Sequence, residues 1–396
     1  MSILLRGKKS LSQLARAILR SFAPDASSYP FSTLQGAYQT STGPAAVAVN
    51  DPVGLELDAM GTVGPELVTN GDFSAGVTGW GWYVPFLPQT FTNVGGELHV
   101  VGDGVARALY GQSTAETMTS GKTYRIRLSV RLASGAMPTI SLNAAFYGVS
   151  LITIQSAGST TVKTYSYEVF YKASTTGSVH LTFDNYVAHD LYIDNVSIVE
   201  VTGNHATQTT AINRPTVQQD GNGRFYASFN GTNSSLQLTS VQFQMADDFA
   251  VVTCVKYGTP ASWSTIFSIC GAGTTPRIQL FLDNANGHAG AYFRDDAGVS
   301  TRAQGAVDLR NTTSVITLAK RGTNVYLRVN GVQVVTTSVA GLGAATFTAA
   351  AIGKLALGAD YMLGGSYGVD PIKGTVTDAQ LLTLEKAAGQ RAGLVI

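Results

Sequence analysis

The chain has 396 residues, of which 44% are hydrophobic and 13% charged, with 43 glycines and a formal net charge of +1. This length suggests two or three ordinary domains, the apolar share excludes a disordered chain, and the scarcity of charge argues against long surface helices. The near-neutral balance excludes a chain-wide nucleic-acid footprint, and no apolar run reaches the ~18 residues of a membrane-spanning helix.

Residues 1–22 carry Arg6, Lys8, Lys9, Arg16 and Arg20 and no acid, which leaves 21 basic and 25 acidic residues for the rest of the chain. Gln13, Arg16 and Arg20 interrupt the apolar stretch, so a secretory signal is disfavoured. Ser10 and Gln13 form a capping box, and Leu11, Leu14, Ile18 and Phe22 share one helical face. Pro24 stops the helix. A lone helix of this size is marginal in water, so its apolar face needs a partner; it is read as an anchor that docks on another protein or on copies of itself, with a membrane surface and its own chain as the alternatives.

Residues 23–65 are rich in Pro, Gly, Ser, Thr and Ala and read as an extended connector with short strands. They contain Leu34-Gln35-Gly36-Ala37-Tyr38-Gln39-Thr40 and Asn50-Asp51-Pro52-Val53-Gly54-Leu55-Glu56-Leu57-Asp58. This pair resembles a segment near the start of many bacteriophage tail and virion proteins. The resemblance implies a particle component made in the host bacterial cytoplasm, attached to other virion proteins through residues 1–65, and homotrimeric as phage fibres usually are.

Residues 66–202 open with Glu66-Leu67-Val68-Thr69-Asn70-Gly71-Asp72-Phe73 and Gly79-Trp80, and close with Leu191-Tyr192-Ile193-Asp194-Asn195-Val196-Ser197-Ile198. Between them, runs such as 124–130 and 164–171 alternate with period two, the mark of half-buried strands. The pair of end motifs resembles carbohydrate-binding modules with a galactose-binding-like jelly roll. The resemblance implies a structural calcium ion held by Asn70, Asp72 and Asp194, although Ser74 stands where relatives often carry glutamate. No other cofactor is required. Trp80 is expected in the core, while Trp82 and Tyr83 are candidate sugar platforms, since sugars bind by laying an apolar ring face on an aromatic side chain.

Residues 203–396 contain the apolar run Phe249–Val255, a turn at Asp295-Asp296-Ala297-Gly298, and a hairpin centred on Asn330-Gly331, a pair suited to a type I′ turn. Thr377 and Gln380 form a second capping box ahead of a late helix. The order of strands resembles the laminin-G and concanavalin-like lectin sandwich. Tyr257 and Trp263 are its candidate sugar-binding aromatics, because loops at sandwich ends carry sites. Cys254 and Cys270 are read as free, buried thiols on strands that could be neighbours.

The fold expected is therefore all-β: two tandem antiparallel sandwiches of the jelly-roll kind, with an N-terminal amphipathic helix and an extended connector. No phosphate loop, nucleophile elbow or metal-spaced histidines are present. Asp247-Asp248 and Asp295-Asp296 read as turn residues rather than a glycosidase pair, and Asp184 with His189-Asp190 as a polar turn rather than a metal or acid–base cluster. The expectation is a non-enzymatic virion structural protein, of tail fibre, baseplate or capsid decoration, displaying lectin-like sandwiches toward host glycans. A purely architectural spacer and a glycan-degrading virion enzyme are the alternatives.

Overall fold

The computed structural model describes residues 37–38, 50–53, 55–56, 58 and 63–396 apart from 114, 260–261 and 273–274. The anchor helix expected at 1–22, with Leu11, Leu14, Ile18 and Phe22, lies outside the described residues. The described chain is almost entirely antiparallel sheet, in agreement with the all-β expectation. Its one described α-helix, Asp378–Ala392, is not long and apolar enough to cross a membrane.

The chain divides into two units, and one is inserted within the other. The host unit combines described residues up to 58 with 203–396, and the guest unit covers 63–202. The host is a sandwich of a nine-stranded and a seven-stranded sheet. The nine-stranded sheet runs, in spatial order, Ala37–Tyr38, Leu55–Glu56, Ala206–Thr207, Leu236–Leu238, Ala349–Ile352, Ser264–Cys270, Arg277–Leu282, His288–Arg294 and Ser300–Asp308. The seven-stranded sheet runs Thr216–Gln219, Phe225–Asn230, Leu363–Lys373, Phe249–Tyr257, Thr313–Arg321, Asn324–Val329 and Val332–Ser338. Phe229, Phe243, Phe249, Val251, Ile266, Leu280, Phe293 and Ile316 fill the space between them.

Within the segment 23–65, read as an extended connector with short strands, the described residues up to 56 join the sheets of the host. Asn50 and Val53 donate to the carbonyls of Val217 and Pro215, and Val217 donates to that of Asp51, so residues 50–53 edge the seven-stranded sheet. Leu55–Glu56 then enters the nine-stranded sheet, with Glu56 paired to Ala206. Val53 is buried in the host core. A Pro-containing segment can take this role because it lies where few ladder donors are needed.

Phe249–Tyr257 explains its own lack of alternation. Phe249, Val251, Val255 and Tyr257 face the inter-sheet core, while Ala250, Val252 and Cys254 face the helix Asp378–Ala392. A strand buried on both faces reads as a continuous apolar run. The helix is capped as its sequence suggests: Gln380 N donates to Thr377 Oγ1, Thr377 N donates to Gln380 Oε1, and Gly393 ends the helix in the left-handed region. Its inner face also carries Glu385, fully buried and gripped by Arg328 through Nε at 2.7 Å and Nη2 at 3.0 Å. The Asn330-Gly331 turn takes φ of 48° and 82°, as a type I′ hairpin requires.

The two thiols are free and buried, but not neighbours. Cys254 lies under the helix, and Cys270 lies in the other sheet beneath Leu355 and Ala356. Burial pushes the Cys254 thiol up to about 12.

The guest is a sandwich of two six-stranded sheets. One runs Ser150–Gln155, Thr139–Asn143, Gly177–Asn185, Ala108–Gln112 and Trp80–Trp82, with Glu116–Met118 paired to Gly177–Asn185. The other runs Lys163–Lys172, Thr123–Gly135, Ala188–Val201, Glu97–Asp103 and Thr90–Val94, with Val63–Glu66 paired to Ala188–Val201. Its ends meet through Glu66, whose Oε1 accepts from the backbone N–H groups of Leu67, Val68 and Ile198 and whose Oε2 accepts from Ser197 Oγ. Trp80 is in the core, as expected, packed on Phe73 with centroids 4.9 Å apart.

Two outcomes follow from this architecture. Replacing 62–202 by a short Gly-Ser link should leave a host that unfolds in one cooperative step by circular dichroism; a chain with no transition would show that the host needs its guest. Glu385→Ala should cost about 3–5 kcal/mol in chemical denaturation, because it leaves Arg328 buried without its partner. The double replacement of Arg328 and Glu385 by Met should recover most of that loss, and equal losses in both variants would contradict the pairing.

Candidate functional site

The large apolar side chains exposed on the guest concentrate on a few connections. Tyr83 follows the Trp80–Trp82 strand, and its N–H donates to Leu109 O, while Leu109 N donates to Phe86 O. Residues 83–86 are thereby fastened to the start of Ala108–Gln112. Tyr147 sits in the turn between Thr139–Asn143 and Ser150–Gln155, closed by Ala144 N donating to Val149 O. Tyr186 sits in the turn before Ala188–Val201, where Val187 N donates to Asn185 Oδ1.

These turns converge on Arg107. Its guanidinium carbon lies 4.6 Å from the Phe86 ring, 4.9 Å from Tyr147 and 5.1 Å from Tyr186. Asp184, on the neighbouring strand, receives Arg107 Nε at 2.8 Å and Nη2 at 2.6 Å. This fork-to-fork pairing fixes the guanidinium plane and raises its already high pKa, so it stays charged. Tyr83 completes the layer, stacked on Tyr147 at 4.9 Å and near Phe86 and Phe146 at 6.0 and 6.3 Å. Tyr186, Tyr147 and Tyr83 are 63%, 50% and 37% exposed. The result is a set of partly exposed tyrosines around one immobilised ion pair. Such a surface offers apolar area at low entropic cost together with hydrogen-bonding groups.

The expected aromatics part company. Tyr83 belongs to this layer. Trp82 is 45% exposed but lies on the same face as Trp80 and packs edge-on against Phe91, at the margin of the guest sandwich. Tyr257 is 2% exposed and part of the host core, so it offers no platform; its strand runs through the middle of the seven-stranded sheet and carries it inward. Trp263 is half-buried on the host, stacked on Phe281. Arg107, Asp184, Tyr147 and Tyr186 were not legible as a group. Their one signal was aromatic residues lodged in turn segments, at Phe146-Tyr147-Gly148 and Asn185-Tyr186.

The histidine–aspartate trio is dispersed. Asp184 serves Arg107, Asp190 accepts from His99 at 2.9 Å, and His189 is buried beside Tyr110. Asp184 and His189-Asp190 stand in strands, and only residues 186–187 form the turn between them. Burial lowers the His189 pKa. The other carboxylates are spent on turns: Asp295 accepts from Val299 N and Gly343 N, Asp248 from Gly322 N and Thr375 Oγ1, and Asp247 pairs with Lys373.

The residues expected to hold calcium each have hydrogen-bond partners of their own. Asn70 Oδ1 accepts from Ala75 N and its Nδ2 donates to the carbonyls of Gly76 and Thr78, so the amide is consumed by its own turn. Both Asp194 oxygens face Asn195, and Asp72 Oδ1 faces Ser74. The opening and closing motifs are joined by backbone: Val196 N donates to Gly71 O at 2.9 Å, and a side chain on Gly71 would collide with Val196 O. Among the described residues no three His, Cys, Asp or Glu side chains are grouped to hold a metal. Asp194 is held above the usual carboxylate range by burial first, and by repulsion from Glu97 and Asp72.

No family model matches the chain, and no curated protein matches it. Among solved structures, a sialidase CBM40 module of Ruminococcus gnavus bound to α2,6-sialyllactose is 14% identical, with TM-score 0.32 over 35% of this chain and 84% of that one. Domain 4 of an extracellular GH43 arabinanase from Geobacillus stearothermophilus, in complex with arabinotriose, is 17% identical, with TM-score 0.35 over 43% and 81%. The receptor-binding domain of botulinum neurotoxin D is 10% identical, with TM-score 0.36 over 44% and 46%. Likeness at this level assigns no ligand to the present chain.

Because burial and the nearby Glu97 and Asp72 disfavour a charged Asp194, Asp194→Asn should leave Tm unchanged or raise it in calcium-free buffer at neutral pH. A calcium-dependent rise in Tm that Asp194→Asn abolishes would show that these carboxylates hold a cation.

Proposed function

We propose that this chain is a non-catalytic, saccharide-binding structural protein of a bacteriophage particle that adsorbs to glycans on the host surface. The observation that carries the binding part is the exposed layer of Tyr83, Tyr147 and Tyr186 around the Arg107–Asp184 pair. A pyranose offers one apolar face and a rim of hydroxyls. The tyrosine faces match the first, and the phenols with the remaining guanidinium donors match the second. A layer that is preorganised by an ion pair binds without first ordering loose side chains.

The particle part of the reading rests on the resemblance of residues 34–40 and 50–58 to virion proteins. In it, residues 1–65 join other virion components, and three copies assemble together. Repetition on a particle turns weak single-site contacts into strong attachment. Full-length protein tested on an array of bacterial surface glycans should bind a subset of them. Arg107→Ala and Tyr147→Ala should each weaken that binding by ~3- to 10-fold, with circular dichroism unchanged. Binding indifferent to both substitutions would remove the site, and a wild-type chain that binds nothing on the array would remove the function.

A further inference from the structure

At one end of the host sandwich two connections cross from sheet to sheet, and a cleft lies between them. Residues 239–248 carry the chain from Leu236–Leu238 in the nine-stranded sheet to Phe249–Tyr257 in the seven-stranded sheet. Residues 339–348 carry it back from Val332–Ser338 to Ala349–Ile352. The cleft encloses about 480 Å³ and is lined by residues 244–246, 339–340 and 342–345 of these connections and by Lys320, Gly322 and Thr323. That volume falls within the ~300–1,000 Å³ of small-molecule sites. Its walls are mostly hydrocarbon, and Met245, Val339, Leu342 and Ala345 all pack on the inter-sheet core.

The walls are held in place by hydrogen bonds within the protein. Gln244 Nε2 donates to Phe347 O and Phe347 N donates to Gln244 Oε1, which ties one connection to the other. Val339 N donates to Thr323 O, which fastens the second connection to the hairpin that follows Lys320. Gly343 N donates to Asp295 Oδ2 and Asp296 N donates to Ala344 O, so the same connection is also pinned to the nine-stranded sheet. A ligand entering such a cleft does not have to order its walls first.

Among the residues lining the cleft, Lys320 alone is charged. Its side chain faces inward. Ile316 and Leu318, the alternate positions before it on Thr313–Arg321, lie in the inter-sheet core, as do its cross-strand partners Phe249 and Val325. Lys320 is only 5% exposed. Its Nζ donates to the backbone carbonyl of Asp247 at 3.0 Å, which occupies one of the three ammonium donors. The neighbouring carboxylates are engaged by other groups: Asp247 Oδ2 by Lys373 Nζ and Gln244 N, and Asp248 by Gly322 N and Thr375 Oγ1. A buried cation whose hydrogen-bond partner is a neutral carbonyl gains from an anion brought beside it. Burial accordingly pushes the Lys320 ammonium below the ordinary lysine range, against the pull of Asp248 and Asp247.

We infer that this cleft binds a small monocarboxylic acid with a hydrocarbon body, its carboxylate at the Lys320 ammonium and its hydrocarbon against Met245, Val339 and Leu342. The site belongs to the host and stands apart from the saccharide-binding reading above. It is tested by calorimetric titration of full-length protein with octanoate and with octanamide, which share a shape and differ in charge. Octanoate should bind one site per chain, about tenfold more tightly than octanamide, and hexanoate should bind more weakly than octanoate because it buries less hydrocarbon. Lys320→Met keeps an unbranched apolar side chain and should abolish the preference for the acid. Leu342→Ser, on the half-buried loop of the cleft, should weaken both ligands by about threefold or more, and it keeps the test valid if Lys320→Met does not fold. The site is overturned by equal binding of acid and amide, by a preference that survives Lys320→Met, by octanoate binding indifferent to Leu342→Ser, or by no octanoate binding at all. None of these outcomes bears on glycan binding at the Arg107 cluster, which its own substitutions test.

Discussion

The insertion of one sandwich into the other depends on the pairing of Leu55–Glu56 with Ala206–Thr207. A chain that leaves one sandwich, builds another and returns must bring its departure and re-entry points together, at an entropic cost that grows slowly with loop length. Here Glu56 is the direct partner of Ala206 in the host, and Val63 that of Val201 in the guest. Between these pairs, Asp58 Oδ2 accepts from Asn204 N and Asp58 N donates to His205 Nδ1. The strands are only two residues long. What fixes them is the flanking packing: Val53 and Ala206 are buried in the host core, and Val217 exchanges hydrogen bonds with Asn50 and Asp51.

How much of this was legible follows from the range of each signal. Local chemistry was plain. The Thr377–Gln380 cap and the Asn330-Gly331 hairpin are decided within four residues, and alternation in 124–130 and 164–171 needs only one strand. The insertion was not legible, because residues 50–58 look like any polar connector until their partners near 205 and 217 are known. Tyr257 was misplaced for the same reason. A tyrosine beside a Gly-Thr-Pro loop reads as surface, and only a central position in a sheet buried on both faces sends it inward.

The binding surface has a design that spacing along the chain does not display. The Arg107 guanidinium is tied by Asp184 on an adjacent strand and lies against aromatic rings. The ion pair contributes orientation more than affinity, since its charges satisfy each other. The rings then present their faces from turns whose backbones are pinned to strands. The partners lie 77 residues apart in sequence, so no motif of fixed length encodes them.

The placement of Leu363–Lys373 governs how the molecule is made. This late strand is central, hydrogen-bonded to Phe225–Asn230 on one side and Phe249–Tyr257 on the other. The helix that follows it shields Val252 and Cys254. On the ribosome, residues 63–202 have all their sheet partners before residues 203–396 are made and can fold as they emerge. The enclosing sandwich must wait with a gap in its sheet and an oily flank bare until residues 363–392 have emerged, so during that interval the nascent chain is most exposed to aggregation and most dependent on chaperones.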